Sequence, residues 1–364
     1  EVARKGNRAP GYEGTCRKLT AGRVAAYKAE GRKPVVRVRM PDKDWTWDDL
    51  VRGPLEIKGE HVPDFVIVRA NGEPLYTLVN PVDDTAMKIT HVLRGEDLLS
   101  STPRQLAMYE ALGAPVPLFG HLPYVMGEGN RKLSKRDPES SFAMYVERGY
   151  LPEALVNYLA LLGWSLGDDR EFFTLQEMAE KFDVSRVNPN PARFDLKKCT
   201  AINGDWIRSL AADDLANRIL PFLQREDILP AEPTPAQQEL LLAATPLVQE
   251  RLETLGQAPG MLGFLFAGER FAVDPEDGAK ALADQGVDVV RAARDALARL
   301  PDFTAEPIQH ALRSALVDGL GLKPKLAFGP VRVAVTGRRV SPPLFESMEL
   351  LGREETLRRL NLAL

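Results

Sequence analysis

The sequence predicts an α/β front, a mixed middle and an all-α rear, and three observations carry that reading. Short β-rich runs separated by turn residues fill the first third. A strand, a polar turn and a capped helix then follow one another from Ile89 to Gly113. Beyond about Leu210, apolar residues recur at helical spacing with Pro and Gly between the runs.

In order, Val35, Arg37 and Arg39 alternate with Val36, Val38 and Met40 until Pro41 stops the strand. Trp45 and Trp47, flanked by Asp44 and Asp48, read as a hairpin surface patch. Phe65 to Val68 and Leu75 to Val79 read as two strands around Asn71-Gly72, a turn pair that tolerates positive φ. Asp83-Asp84 suits a loop or cap better than a metal site. Ile89 to Leu93 makes a further strand ending at Arg94-Gly95-Glu96-Asp97. Thr102 fits an N-cap, Pro103 the first helical position and Gly113 the stop. In an α/β sheet, ligands bind outside the carboxyl ends of strands, which places Arg94 to Asp97 at a candidate site. Pro152 opens a helix closed by Gly163. Pro230 to Pro235 reads as a loop, and Leu240 to Leu255, Ala279 to Leu300 and Ile308 to Leu320 as helices.

Composition narrows the function classes. Of the 364 residues, 44% are hydrophobic and 27% charged, which suits two or three globular domains. Cys16 and Cys199 are too few for a disulfide framework and have no partners at metal spacing, which favours a reducing, cytoplasmic setting. His61, His91, His121 and His310 are scattered and read as ordinary core or surface histidines. No apolar run approaches the ~20 residues of a membrane helix. The net charge of −4 argues mildly against a nucleic-acid partner, although a large binder can segregate its charge. Arg32-Lys33 with Arg37 and Arg39, Arg131 to Arg136, and Arg193 with Lys197-Lys198 are local basic clusters, each also readable as solvated surface.

The most specific segment is Lys132-Leu133-Ser134-Lys135-Arg136, approached by Gly127-Glu128-Gly129-Asn130-Arg131. Lysines on such a loop can neutralise a leaving pyrophosphate and a serine can donate to it; an exposed basic loop is the alternative. The segment resembles the KMSKS signature of class I aminoacyl-tRNA synthetases, with leucine for methionine and arginine closing it. Pro74 to Asp84, Ile89 to Asp97, Ser100 to Gln105 and His121 to Tyr124 resemble the glutamyl branch of that class. Asn157 to Trp164, Phe194 to Lys198, and Val335-Thr336-Gly337 through Leu344-Phe345-Glu346 to Leu350-Leu351-Gly352 continue the likeness in order. The chain therefore resembles the bacterial, actinobacterial-like glutamyl-tRNA synthetases.

That resemblance implies a partial Rossmann-type catalytic domain with an inserted acceptor-end domain, a stem-contact region and an all-α anticodon-binding domain. The implied boundaries are 1–75 for the remainder of the insertion, 76–130 for the second half of the catalytic fold, 131–211 for the lysine loop and stem contacts, and 212–364 for the anticodon domain. Glutamate binding falls to Tyr76, Asn80 and Arg94, with Arg94 facing the γ-carboxylate; a structural ion pair with Glu96 or Asp97 is the alternative. ATP binding falls to Asp97, Val125, Lys132, Leu133, Ser134, Lys135 and Arg136, with Lys132, Ser134 and Lys135 catalytic. Contacts to tRNA fall to Arg193, Lys197, Lys198 and Arg251, the last also readable as a helix-surface arginine. ATP with Mg2+ is the implied cofactor set, without zinc. The implied partners are tRNA(Glu), L-glutamate and ATP, with no membrane, and the implied state is a monomer. No HIGH signature occurs, so by this resemblance the chain is amino-terminally truncated. A tRNA-binding module without ligase activity, or an enzyme also charging tRNA(Gln), are then the alternatives to a glutamate ligase.

Overall fold

The structure is a computed structural model, and it describes residues 12, 14–127, 131–134, 136–137, 140–167 and 169–364. The chain divides into two units: Glu1–Ser134 with Leu159–Phe194, and Lys135–Tyr158 with Asp195–Leu364. The first unit holds β1 (Val36–Val38), β2 (Trp45–Asp49), β3 (Gly53–Ile57), β4 (Phe65–Val68), β5 (His91–Gly95), β6 (Leu118–Leu122), β7 (Val125–Met126) and β8 (Ala192–Arg193). Its helices include α1 (Ala21–Ala29), α2 (Tyr76–Ala86) and α3 (Thr102–Leu112).

Four strands form the main sheet in the order β3-β2-β6-β5. The β2–β3 pair is an antiparallel hairpin, whereas β6 runs parallel to both β2 and β5. Leu106, Ala107 and Tyr109 of α3 pack with Trp45, Val62 and Phe119. Trp45 is only 2% exposed, so the expected tryptophan surface patch is a hairpin whose first indole belongs to the core. A neighbouring cluster joins Trp164, Leu166, Phe173 and Val187, with Val51 against it.

Three local expectations change. The Asn71-Gly72 turn forms, with Gly72 at φ +89°, but its second arm is one bridge between Val68 and Pro74. The chain is helical from Tyr76, not extended from Leu75 to Val79. Tyr-Thr-Leu-Val has strand propensity, yet such preferences yield to packing. In a helix Asn80 and Asp84 share a face, and they meet Gln105 and Tyr109, also four apart, on α3 at 2.8 and 2.9 Å. Asp83-Asp84 thus lies inside α2, not in a loop or cap. Thr102 is the first residue of α3, not its N-cap, because a 3-10 turn at Glu96–Ser101 feeds the helix. Gly113 closes α3 at φ +63° as expected.

The second unit is helical. Val290, Ala293 and Leu297 of Gly286–Ala298, Ile308 and Leu312 of Ala305–Leu312, Val331 and Val335 of Pro324–Thr336, and Leu360 of Leu344–Leu362 are fully buried together. The expected helix from Ala279 to Leu300 is broken, since Pro275–Ala281 and Gly286–Ala298 are separated at Asp284, which has φ +51°. Ile308 to Leu320 changes from α to a π turn at Arg313–Asp318. Arg359, 1% exposed, lies over the Phe271 ring and donates to Glu355, the Val335 carbonyl and the Phe264 carbonyl. Elsewhere two main-chain segments cross: Leu255 donates to the Gly149 carbonyl at 3.0 Å. A Cβ on Gly149 would stand 2.7 Å from the Gly256 nitrogen, and one on Gly256 2.7 Å from the Arg148 carbonyl. Among the described residues, no helix is long and apolar enough to cross a membrane.

Candidate active site

The site is built at the carboxyl ends of parallel strands. Arg94 on β5 pairs in register with His121 on β6, and Gly95 with Leu122. Arg94 is half-buried and donates from Nε to His121 Nε2 at 3.1 Å, and from Nη2 to Thr102 Oγ1 at 3.0 Å and the Leu98 carbonyl at 3.3 Å. Its Nη1 is buried and has no hydrogen-bond partner among the described residues. Burial pulls the guanidinium below its ordinary value, while Tyr76, Tyr109 and Asp84 oppose that shift. Arginine's ordinary value is so high that it stays charged.

Tyr76 and Asn80 stand one turn apart on α2, and Tyr76 is 53% exposed. The three residues expected to hold glutamate are therefore brought together: an exposed phenol, an amide tied to Gln105, and a cation with a spare donor. Among the described residues Arg94 makes no ion pair with Glu96, which pairs with Arg52 and accepts the Tyr124 N–H at 2.9 Å. Asp97 instead faces Lys132 at 3.6 Å.

Of the lysine loop, residues 131–133 pair antiparallel with residues 125–127. Gly127 donates to the Arg131 carbonyl and Leu133 to the Val125 carbonyl, both at 2.9 Å, with Met126 bridged to Lys132. Lys132 sits over the Tyr124 ring at 4.1 Å. Asp97, Val125, Lys132 and Leu133 are thus neighbours, and Ser134 follows Leu133. Arg136 belongs to the second unit, and Lys135 lies outside the described residues. Among the described residues no group of three or more His, Cys, Asp or Glu side chains could hold a metal.

Of the residues expected to meet tRNA, Arg193 is exposed on β8, paired with Met126 of β7. Lys197 and Lys198 open the helix Leu196–Ser209, their N–H groups capped by Asp195. Arg251 donates to the Ser341 carbonyl at 2.8 Å, and Arg332 to Ser341 Oγ at 2.6 Å and the Pro342 carbonyl at 2.7 Å. Burial lowers the Arg332 pKa, the nearby Arg251 charge lowers it further, and Glu346 opposes both.

Sequence reasoning missed Asp49, His121, Thr102 and Arg332. His121 was legible as a core histidine and as the start of a family-like block, but not as a partner of Asp49 and Arg94, which lie 72 and 27 residues away. Arg332 did leave a signal, a cation inside the apolar run Val331 to Val335.

Residues 1–201 match the catalytic domain of the class I tRNA synthetases for E and Q, and residues 214–364 match an anticodon binding domain. The fold is that of a class I aminoacyl-tRNA synthetase, with a Rossmann-like catalytic sheet and a helical anticodon-binding part. The glutamate--tRNA ligase of Kineococcus radiotolerans is 57% identical over 356 residues, covering 96% of this chain and 71% of its own length. That of Nocardioides sp. is 57% identical over 365 residues, covering 99% and 74%. A crystal structure of a glutamate tRNA ligase from Elizabethkingia meningosepticum, in complex with its amino acid, superposes with a TM-score of 0.80 at 30% identity, over 98% of this chain and 74% of that one. The chain belongs to the glutamate--tRNA ligase family.

Proposed function

We propose that this chain ligates L-glutamate to tRNA(Glu) at the expense of ATP, and that Tyr76, Asn80 and Arg94 bind the amino acid. The observation that carries the assignment is the buried Arg94 Nη1, which makes no well-formed hydrogen bond among the described residues although the Tyr76 hydroxyl lies close enough to interact with the guanidinium. A buried donor left open in this way is costly unless a ligand completes it. A carboxylate completes a guanidinium best, through charge-assisted bonds.

In the reaction, the glutamate α-carboxylate attacks the α-phosphorus of ATP and pyrophosphate leaves. A ribose hydroxyl of the terminal adenosine of tRNA then attacks the acyl carbon and AMP departs. No side-chain nucleophile is needed, so the chain's work is orientation and charge stabilisation. Lys132 lies over Tyr124 and pairs with Asp97, and in this reading it serves the phosphate oxygens; the same role is assigned to Ser134, Lys135 and Arg136. Val125 and Asp97 flank the nucleotide in this reading. Magnesium supplies charge neutralisation to the phosphates when it arrives with ATP.

On the tRNA side, Arg193, Lys197 and Lys198 serve the phosphate backbone. Arg251 with Arg332 brings two cations to the Ser341-Pro342 segment, next to Val340 at 73% exposure, a setting suited to an unstacked anticodon base. We assign residues 1–75 to acceptor-end binding, 76–130 to the catalytic fold, 131–211 to the lysine loop and stem contacts, and 212–364 to the anticodon.

The test is ATP-dependent attachment of labelled glutamate to tRNA(Glu). Arg94→Ala is expected to raise the glutamate KM by about a hundred-fold. Lys135→Ala is expected to slow adenylate formation far more than it weakens glutamate binding. Absence of ATP-dependent attachment, or an unchanged KM in Arg94→Ala, would overturn the assignment.

A further inference from the structure

Asp49, Arg94 and His121 stand near the carboxyl ends of three adjacent parallel strands, β2, β5 and β6, with β6 in the middle. Their side chains form a line across the sheet. The Asp49 and His121 side chains are wholly buried, a placement that is costly unless every polar atom is partnered. Asp49 Oδ2 meets His121 Nδ1 at 2.5 Å, and Oδ1 accepts the N–H groups of Val51, Arg52 and His121 at 3.1, 3.1 and 3.0 Å. On the other side of the ring, His121 Nε2 meets Arg94 Nε at 3.1 Å and Thr102 Oγ1 at 3.2 Å.

Donor rules fix the protons in this line. An arginine Nε–H only donates, so His121 Nε2 accepts, and the ring hydrogen rests on Nδ1 facing Asp49. A doubly protonated ring would set N–H against N–H. Placing the acid one side chain away also matters for the ligand. A carboxylate touching Arg94 would cancel its charge and occupy the donors that a substrate needs. A neutral imidazole holds Nε in place and leaves that charge available. Thr102 and Leu98 hold Nη2, and Nη1 remains open.

We propose that Asp49 and His121 are positioning residues that aim Arg94 at the side-chain carboxylate of the amino acid and set the preference for acid over amide. The proposal rests on the assignment of Arg94 to glutamate. A glutamine amide would turn an N–H toward a guanidinium fixed in this way, whereas a free guanidinium could rotate to the amide oxygen.

Asp49→Asn is the diagnostic change, because it keeps the shape while exchanging a charged acceptor for a neutral donor facing Nδ1. Its amide donates to Nδ1 and drives the ring hydrogen onto Nε2, against Arg94, as a wrong tautomer does in a serine–histidine–aspartate triad. Glutamate and glutamine affinities would be titrated in the presence of tRNA(Glu) on the parent chain, Asp49→Asn, His121→Leu, His121→Gln and Arg94→Ala. Expected are a roughly ten- to hundred-fold loss of glutamate affinity in Asp49→Asn and His121→Leu, and a matching fall in the glutamate-to-glutamine ratio. His121→Gln, whose amide oxygen can accept from Arg94 Nε, should recover part of both.

An unchanged ratio in a folded Asp49→Asn, with Arg94→Ala still impaired, sinks the positioning role alone. Unimpaired binding in Arg94→Ala sinks the glutamate assignment itself, as does a parent chain that binds no glutamate. Nitrogen-15 spectra of the labelled parent chain read the tautomer whether or not any variant folds. The His121 resonance, identified by through-bond connection to its own backbone, should show hydrogen on Nδ1. Hydrogen on Nε2 overturns the proposal.

Discussion

A buried imidazole between an anion and a cation has one tolerable protonation state, and that state ties stability to pH. Burial pulls the His121 pKa below its ordinary value; Asp49 opposes the shift but does not reverse it. Below about 6.5 the unfolded chain therefore binds a proton that the folded chain refuses. Burial pushes the Asp49 carboxyl up, but the His121 ring bond and the backbone N–H groups outweigh it and hold it below its ordinary value. Its contribution is present above about pH 4 and lost as pH falls through the folded value. Urea midpoints are thus expected to fall from pH 7 towards 5, and His121→Gln should lack that part of the fall. An identical slope in both proteins would refute the linkage. Thr102→Val removes the hydroxyl that accepts from Arg94 Nη2, and a loss of about 1–2 kcal/mol in unfolding free energy is expected.

At the scale of elements, α2 and α3 are joined by two polar rungs, Asn80–Gln105 and Asp84–Tyr109. Burial pushes the Tyr109 hydroxyl up, so it stays protonated and donates to Asp84. Tyr109→Phe is expected to cost about 1–3 kcal/mol by denaturation and to weaken glutamate binding, because Tyr76 and Asn80 ride on α2. Undiminished glutamate affinity in that variant would show that α2 is held by packing alone. Those rungs also explain what the sequence could and could not disclose. Helix α3 was readable because Pro103 and Gly113 punctuate it locally. Helix α2 was not, because Tyr76 to Val79 carries strand propensity and the reason for its helicity lies 25 residues away in Gln105. The same holds at the site: the lysine loop and Arg94 were visible in motifs, but Asp49 and His121 meet only through the sheet register. In the helical unit the spacing gave helices but not their breaks, since Asp284 at positive φ and the π turn follow from packing.

For the whole molecule, a net charge of −4 means that any grip on nucleic acid depends on where the cations stand and not on the total. Affinity for tRNA is expected to fall linearly with salt on logarithmic axes. Lys197→Ala should lower that slope by a little under one by weakening a backbone contact uniformly. Filter binding between 50 and 200 mM salt, on the order of the range in which such slopes are read, is the check. An unaltered slope would remove Lys197 from the interface. Stability of the helical unit rests on its dry centre. Leu316→Ala, at a fully buried position, should cost about 2–5 kcal/mol.

The crossing of Gly149 and Gly256 bears on how this sequence can change with time. A side chain at either position strikes main chain, at the Gly256 nitrogen or the Arg148 carbonyl, and no shorter neighbour can make room. Most packing conflicts can be relieved by a second substitution nearby, which lets lineages drift through pairs of compensating steps. Here that path is closed. In a library of random double variants, both positions should stay glycine whatever accompanies them, making the crossing a fixed point around which the rest of the unit is free to diverge.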